Sequence, residues 1–116
     1  MNEWSLVFYE TANGRRPVEE YLDSLSGEEA AKVRFDLDLL KSYGLLLGAP
    51  YVRSIGGKLW ELRTRGQAQH RVFYFAASGK LLVLLHAFTK KARKTPTREI
   101  EIARRRMEDY QRRVSR

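Results

Sequence analysis

Three stretches hold residues whose types and spacing could do chemistry: "KLWELRTR" (58–65), "HRVFYF" (70–75) and "LLVLLHAFTKKARKTP" (81–96). In an extended chain, side chains two apart share a face. Glu61, Arg63 and Arg65 therefore lie on one side of the first stretch, opposite Trp60 and Leu62, and this polar set is expected to face away from the core. Arg71 goes with Phe73 and Phe75, while His70 goes with Val72 and Tyr74. His86, Phe88 and Lys90 share one face where the third stretch ends. If the three are neighbours in a meander, Arg63, Arg71, His86 and Lys90 converge on a basic cleft, with Phe88 or Tyr74 beside it.

Such a cleft suits RNA. Guanidinium and ammonium groups hold phosphates, and aromatic rings stack on unpaired bases. It can also cut RNA without a metal. The 2′-hydroxyl must lose a proton, the crowded phosphate must have its extra charge stabilised, and the leaving 5′-oxygen must be protonated. His86 exchanges protons near neutral pH. Arg63 and Arg71 are fixed electrostatic clamps, although Arg63 could equally pair with Glu61. Lys90 or Lys91, crowded by cations that disfavour its charged form, is a second group for proton transfer. Arg65, Lys91, Arg93 and Lys94 extend the cationic surface toward a ligand, as Tyr74 and Phe88 would by stacking. His70 reads as a surface turn residue, and Trp60, Phe73, Met107 and Tyr110 read as core. Two histidines and no cysteine leave no credible metal site. Gly56-Gly57 lacks the spacing of a phosphate-binding glycine loop, so no cofactor is expected.

The elements that must position these groups follow from periodicity. "EWSLVFYE" reads as a first strand, and Pro17 suits the first position of a short helix over 17–25. Ser26 and Glu29 match a capping box. Ala30, Val33, Leu37 and Leu40 then form the stripe of an amphipathic helix that stops at Gly44. From residue 50 the period is two: "YVRSI" and "KLWELRTR" flank Gly56-Gly57, and "HRVFYFAA" and "KLLVLLHAFTKK" flank Ser78-Gly79. Thr95-Pro96 opens a last helix with Ile100, Ala103, Met107 and Tyr110 as its stripe, and with Glu101/Arg105 and Glu108/Arg112 outside. The pattern predicts one α+β domain over 1–116: a mainly antiparallel, twisted sheet with two N-terminal helices and one C-terminal helix packed on it.

Charge is segregated along the chain. Residues 1–50 hold five Lys/Arg against nine Asp/Glu, a balance of −4, whereas residues 51–116 hold seventeen against five, a balance of +12. A basic half on a small domain implies a polyanionic partner, because cations that neutralise phosphates release counterions. The absence of cysteine fits a reducing cytoplasm. "LLVLL" is too short to span a membrane, and "MNEWSLVFYE" is unlike a signal peptide, so a cytoplasmic location is expected.

Over nearly its whole length the chain resembles the HigB-like branch of the RelE/ParE toxin superfamily, phage-derived relatives included. The most specific pieces are "LWELR", "RVFY", "LLHAFTKK" and "TPTREIE", followed by an alanine at 103. The resemblance implies a RelE-like fold and the toxin of a type II toxin–antitoxin pair. It further implies a metal-independent endoribonuclease that enters the ribosomal A site, cleaves the translated mRNA and so inhibits translation. The implied partners are the ribosome with its mRNA and a HigA-like helix-turn-helix antitoxin, with operator DNA reached only through the toxin–antitoxin complex. Arg63 and Arg71 match basic residues placed for phosphate binding and transition-state stabilisation. His86 and Lys90 match strand-end positions of further catalytic or RNA-contacting groups. The chain departs from that pattern after the last strand, where "ARKTP" stands in place of a tyrosine. Two other readings compete: a ParE-like gyrase inhibitor without nuclease activity, and a non-catalytic nucleic-acid-binding module.

Overall fold

The computed structural model describes residues 3–115. Strand β1 (Ser5–Phe8) leads into helices α1 (Pro17–Ser24) and α2 (Gly27–Tyr43). Strands β2 (Val52–Gly56), β3 (Leu59–Arg65), β4 (Gln69–Ala77) and β5 (Leu81–Lys90) follow, and helix α3 (Thr97–Val114) closes the chain. The five strands form one sheet in the order β1-β5-β4-β3-β2. Its pairs are antiparallel except the parallel edge pair β1–β5, so the sheet is mixed.

Local chemistry sets the boundaries. Pro17 opens α1, where its missing N–H costs nothing. At α2 the Ser26 hydroxyl accepts the Glu29 amide at 3.2 Å, which is half of the expected capping box. The other half is not made, because the Glu29 carboxylate is engaged elsewhere. Gly44 ends α2 at φ +54°, and a Cβ there would collide with the indole of Trp4.

Each face of the sheet has its own core. Val18 and Leu22 of α1, with Val33, Leu37 and Leu40 of α2, pack on Leu62, Val72, Tyr74, Leu82 and Leu84. Ala103 of α3 packs on Leu59, Phe73, Phe75, Val83 and Leu85, with Ile100, Met107 and Tyr110 alongside. Alternation along β4 and β5 supplies both sets.

A bulge in β5 decides which side chains meet. Phe73 pairs with His86 but Tyr74 pairs with Leu84, so Leu85 is the extra residue. Val83 and the bulged Leu85 point at α3, and after the bulge His86 and Phe88 do. A strand without the bulge would have turned His86, Phe88 and Lys90 toward α1 and α2.

A cationic cleft around a buried carboxylate

Arg63 and Arg71 stand directly opposite one another on β3 and β4, on the α3 face. Like charges in that arrangement oppose folding. What offsets them is Glu61, whose side chain is fully buried although its neighbours in sequence suggested an outward position. Its Oε1 lies 3.3 Å from Arg53 Nε and 3.8 Å from Arg63 Nε. Its Oε2 lies 3.8 Å from Arg71 Nε and accepts the Thr95 hydroxyl at 3.0 Å. Thr95 Oγ1 in turn accepts Arg53 Nη2 at 3.3 Å, which ties the loop between β5 and α3 to the sheet. A charge this deep is tolerable only with such partners.

Arg71 is buried too. Its Nη1 donates to the His70 carbonyl at 3.1 Å and its Nη2 to Gln69 Oε1 at 2.9 Å, while Nε makes no hydrogen bond among the described residues. Desolvation, and then its cationic neighbours, push this guanidinium below its usual range, against the pull of Glu61.

Two clefts open around these groups. One, of about 430 Å³, is lined by Arg53, Arg63, Lys90, Arg93, Lys94 and Thr95, among others. The other, of about 390 Å³, holds Arg63, Arg65 and Arg71. Lys90 has its ammonium form disfavoured, first by desolvation and then by the nearby Arg71 charge.

The structure therefore brings together Arg63, Arg65, Arg71, Lys90, Arg93 and Lys94. Lys91 is exposed at the start of the loop and lines neither cleft. Besides Glu61, four expectations need correction. Tyr74 is closed into the core on the α1/α2 face, where burial raises its phenol, so it cannot stack on a base. Phe88 is buried against Phe73 and His86 instead of presenting a ring to the cleft. His86 shares the face of the cleft but lies beneath α3. Its Nε2 meets Glu99 Oε1 at 2.5 Å, its Nδ1 meets Arg106 Nη1 at 3.1 Å, and its ring stacks on Phe73 and Phe88. Burial, partly opposed by Glu99, depresses its pKa.

His70 is the fourth. It is buried, with Nε2 2.8 Å from Glu29 Oε1 and Nδ1 2.6 Å from the Tyr21 hydroxyl, which also lies 2.7 Å from Thr89 Oγ1. Glu29 accepts the amides of Gln67 and Ala68 as well. This chain of contacts joins α1, α2, the β3–β4 turn and β5 immediately behind Arg71 and Lys90. Periodicity had placed His70 on the face of Val72 and Tyr74, the signal that it points inward. Arg53 was also missed, yet hairpin register places it directly across from Glu61.

Among the described residues no group of three or more His, Asp or Glu side chains is gathered to hold a metal ion, and no helix is long and apolar enough to cross a membrane. No curated protein matches the chain. The family model of phage-derived Gp49-like proteins (DUF891) matches residues 20–108, from within α1 to well into α3 and so across the whole cleft. The chain belongs to that Gp49-like family, and through it to the RelE/ParE-like toxin superfamily.

Proposed function

We propose that the protein is the toxin of a type II toxin–antitoxin pair, a RelE-fold, HigB-like, metal-independent endonuclease that cleaves mRNA in the ribosomal A site. The observation that carries this reading is Arg71, a buried guanidinium beside Arg63 and Lys90 whose Nε makes no hydrogen bond among the described residues. A donor held rigid and unsatisfied gains most from an anion that develops charge in the transition state.

In this reading Lys90 Nζ, in its neutral form, takes the 2′-hydroxyl proton as the 2′-oxygen attacks phosphorus. The P–O5′ bond breaks, and the same ammonium returns the proton to the 5′-oxygen, leaving a 2′,3′-cyclic phosphate and a 5′-hydroxyl. Arg63 and Arg71 hold the phosphoryl oxygens, while Arg53, Arg93 and Lys94 hold flanking phosphates. His86 acts indirectly, by seating α3. The HigA-like antitoxin is expected to neutralise the basic half with an acidic or amphipathic segment.

The test is expression of the intact chain with mapping of cellular RNA ends, with and without the gene beside it. Toxicity with cuts inside translated codons, relieved by the neighbouring helix-turn-helix protein and insensitive to EDTA where ribosomes stay intact, is the expected result. Toxicity with intact RNA and damaged gyrase function would replace it with a ParE-like reading. Harmless high-level expression would remove both.

A further inference from the structure

The cleft beside Arg71 contains more than cations. At the edge of β3, where β2 begins, Arg63, Arg65 and Arg71 share their space with Tyr51 and Asp36. Asp36 comes from α2, and its Oδ2 accepts the Thr64 hydroxyl at 2.8 Å. Among the described residues Oδ1 takes no hydrogen bond, and no cation lies within ion-pairing distance. Desolvation pushes this carboxyl above its usual range, opposed only by Thr64. Tyr51, which lines the cleft, is 39% exposed.

We propose that this cleft is a nucleobase subsite selective for guanine, with Tyr51 as the stacking platform and Asp36 as the reader of the base. The proposal rests on the RNA substrate argued above and names the base that the substrate presents. An ionised carboxylate only accepts, with about four lone-pair positions on two oxygens. Thr64 takes one, which leaves room for two parallel N–H donors. Guanine is the base that presents two adjacent donors, N1–H and N2–H, on its Watson–Crick edge. Adenine and cytosine set a ring lone pair against the carboxylate, and uracil offers one donor between two carbonyls. Charge-assisted paired contacts of this kind are short and strong. An acceptor that a bound base desolvates without meeting penalises that base, so the site rejects as well as attracts. The neighbouring arginines supply the contact to the phosphate on the same nucleotide. Arg71 and Arg63 also flank Glu61, so the selected base lies next to the phosphate that is cut.

The experiment measures binding of GMP, IMP, AMP, CMP and UMP to the purified full chain by amide chemical shifts, alongside codon-resolved mapping of cleavage on translating ribosomes. GMP should bind on the order of 10-fold or more tighter than AMP, with IMP between them because it lacks the N2 donors. Cleavage sites should be enriched in guanosine at one fixed position. Asp36→Asn, which keeps the size and the Thr64 contact, should collapse the GMP/AMP ratio toward one. Tyr51→Leu should weaken all five nucleotides together. Equal binding of GMP and AMP, or a ratio unmoved by Asp36→Asn, overturns the subsite; should Asp36→Asn fail to fold, the wild-type ratios decide alone. Cleavage with no guanosine bias removes the subsite and leaves the nuclease standing. A guanosine preference lost in Asp36→Asn, in a chain that cuts no RNA, keeps the subsite and removes the nuclease.

Discussion

Arg71 Nε and Glu61 Oε2 face each other 3.8 Å apart across β4 and β3, in a layer where Arg71 is 4% exposed and Glu61 is fully enclosed. The separation is too long for a hydrogen bond, so the pair supplies charge compensation and leaves the guanidinium a donor to spare. Glu61 also neutralises Arg53 and Arg63. It is thus the element that allows three guanidiniums to stand side by side.

Glu61→Gln should accordingly destabilise the fold by about 2–4 kcal/mol, at the lower end of a broken buried pair because Arg53 and Arg63 reach solvent. Thermal melts followed by circular dichroism read this directly. Unchanged stability would mean that the carboxylate compensates nothing. Arg71→Ala should also lower the melting temperature, since Arg71 is buried and hydrogen-bonded to His70 and Gln69. Arg71→Lys is the cleaner probe of function: it keeps a cation but loses the fork, and should slow cleavage roughly 10²–10³-fold. An Arg71→Lys chain that cleaves as fast as wild type would reduce the residue to a structural charge.

Lys90 makes a prediction about pH. Its folded-state pKa is lowered by desolvation and by Arg71, so the neutral amine becomes populated at lower pH than for a free lysine. A base in this position gives single-turnover cleavage that rises with pH until the lowered pKa is passed, and then levels. Lys90→Ala should lose that slope along with most of the rate. A wild-type profile that is flat from pH 6 to 9 would assign proton transfer to another group.

Much of the fold is legible in the sequence, and part of the site. The Arg63–Arg71 pair follows from alternation and a short turn, and Pro17, Ser26 and Gly44 mark the helix ends they were expected to mark. What alternation cannot show is an interruption of itself. The bulge at Leu85 is one inserted residue inside a run of leucines, with no glycine to signal it, yet it sets the phase of everything after it. Burial of charge is hidden for a different reason. Glu61 and His70 look like surface residues because their partners (Thr95 for one, Glu29 and Tyr21 for the other) arrive from distant elements. The position of α3 over His86 is likewise tertiary, and no local spacing records it.

Glu29 should govern stability in acid. Contacts from His70 and the Gln67 amide, in that order, hold its carboxyl at about 2, against a usual value of 4.5. A depressed carboxylate stabilises the folded state above the unfolded-state pKa, and the benefit is lost as pH falls through the folded one. Urea titrations should therefore show stability falling between about pH 4.5 and about pH 2, with part of that slope missing in Glu29→Gln. The variant should also loosen the 66–68 turn, which hydrogen exchange at Gln67 and Ala68 would report. Identical acid profiles for the two proteins would show that the Glu29–His70 contact carries no linkage.

His86 separates a clamp from a catalyst. Both ring nitrogens are occupied from α3, Nε2 by Glu99 and Nδ1 by Arg106, and the ring is stacked on Phe73 and Phe88. Its pKa is lowered by burial against the pull of Glu99, which favours the neutral ring. The sign follows: the contribution to stability is complete above the unfolded value of 6.5 and declines as pH falls through the lower folded value. His86→Ala should therefore lower the melting temperature at pH 7 and expose α3 to proteolysis. His86→Gln, which can still reach Glu99, should fold and keep its cleavage rate within about 10-fold of wild type, whereas loss of a true general acid or base costs typically ~10²–10⁴-fold. It should also lose the acid-side decline that starts near 6.5. If His86→Gln instead folds with an unchanged melting temperature and cleaves at least 100-fold more slowly, the ring moves a proton after all, and α3 must open to let the RNA reach it.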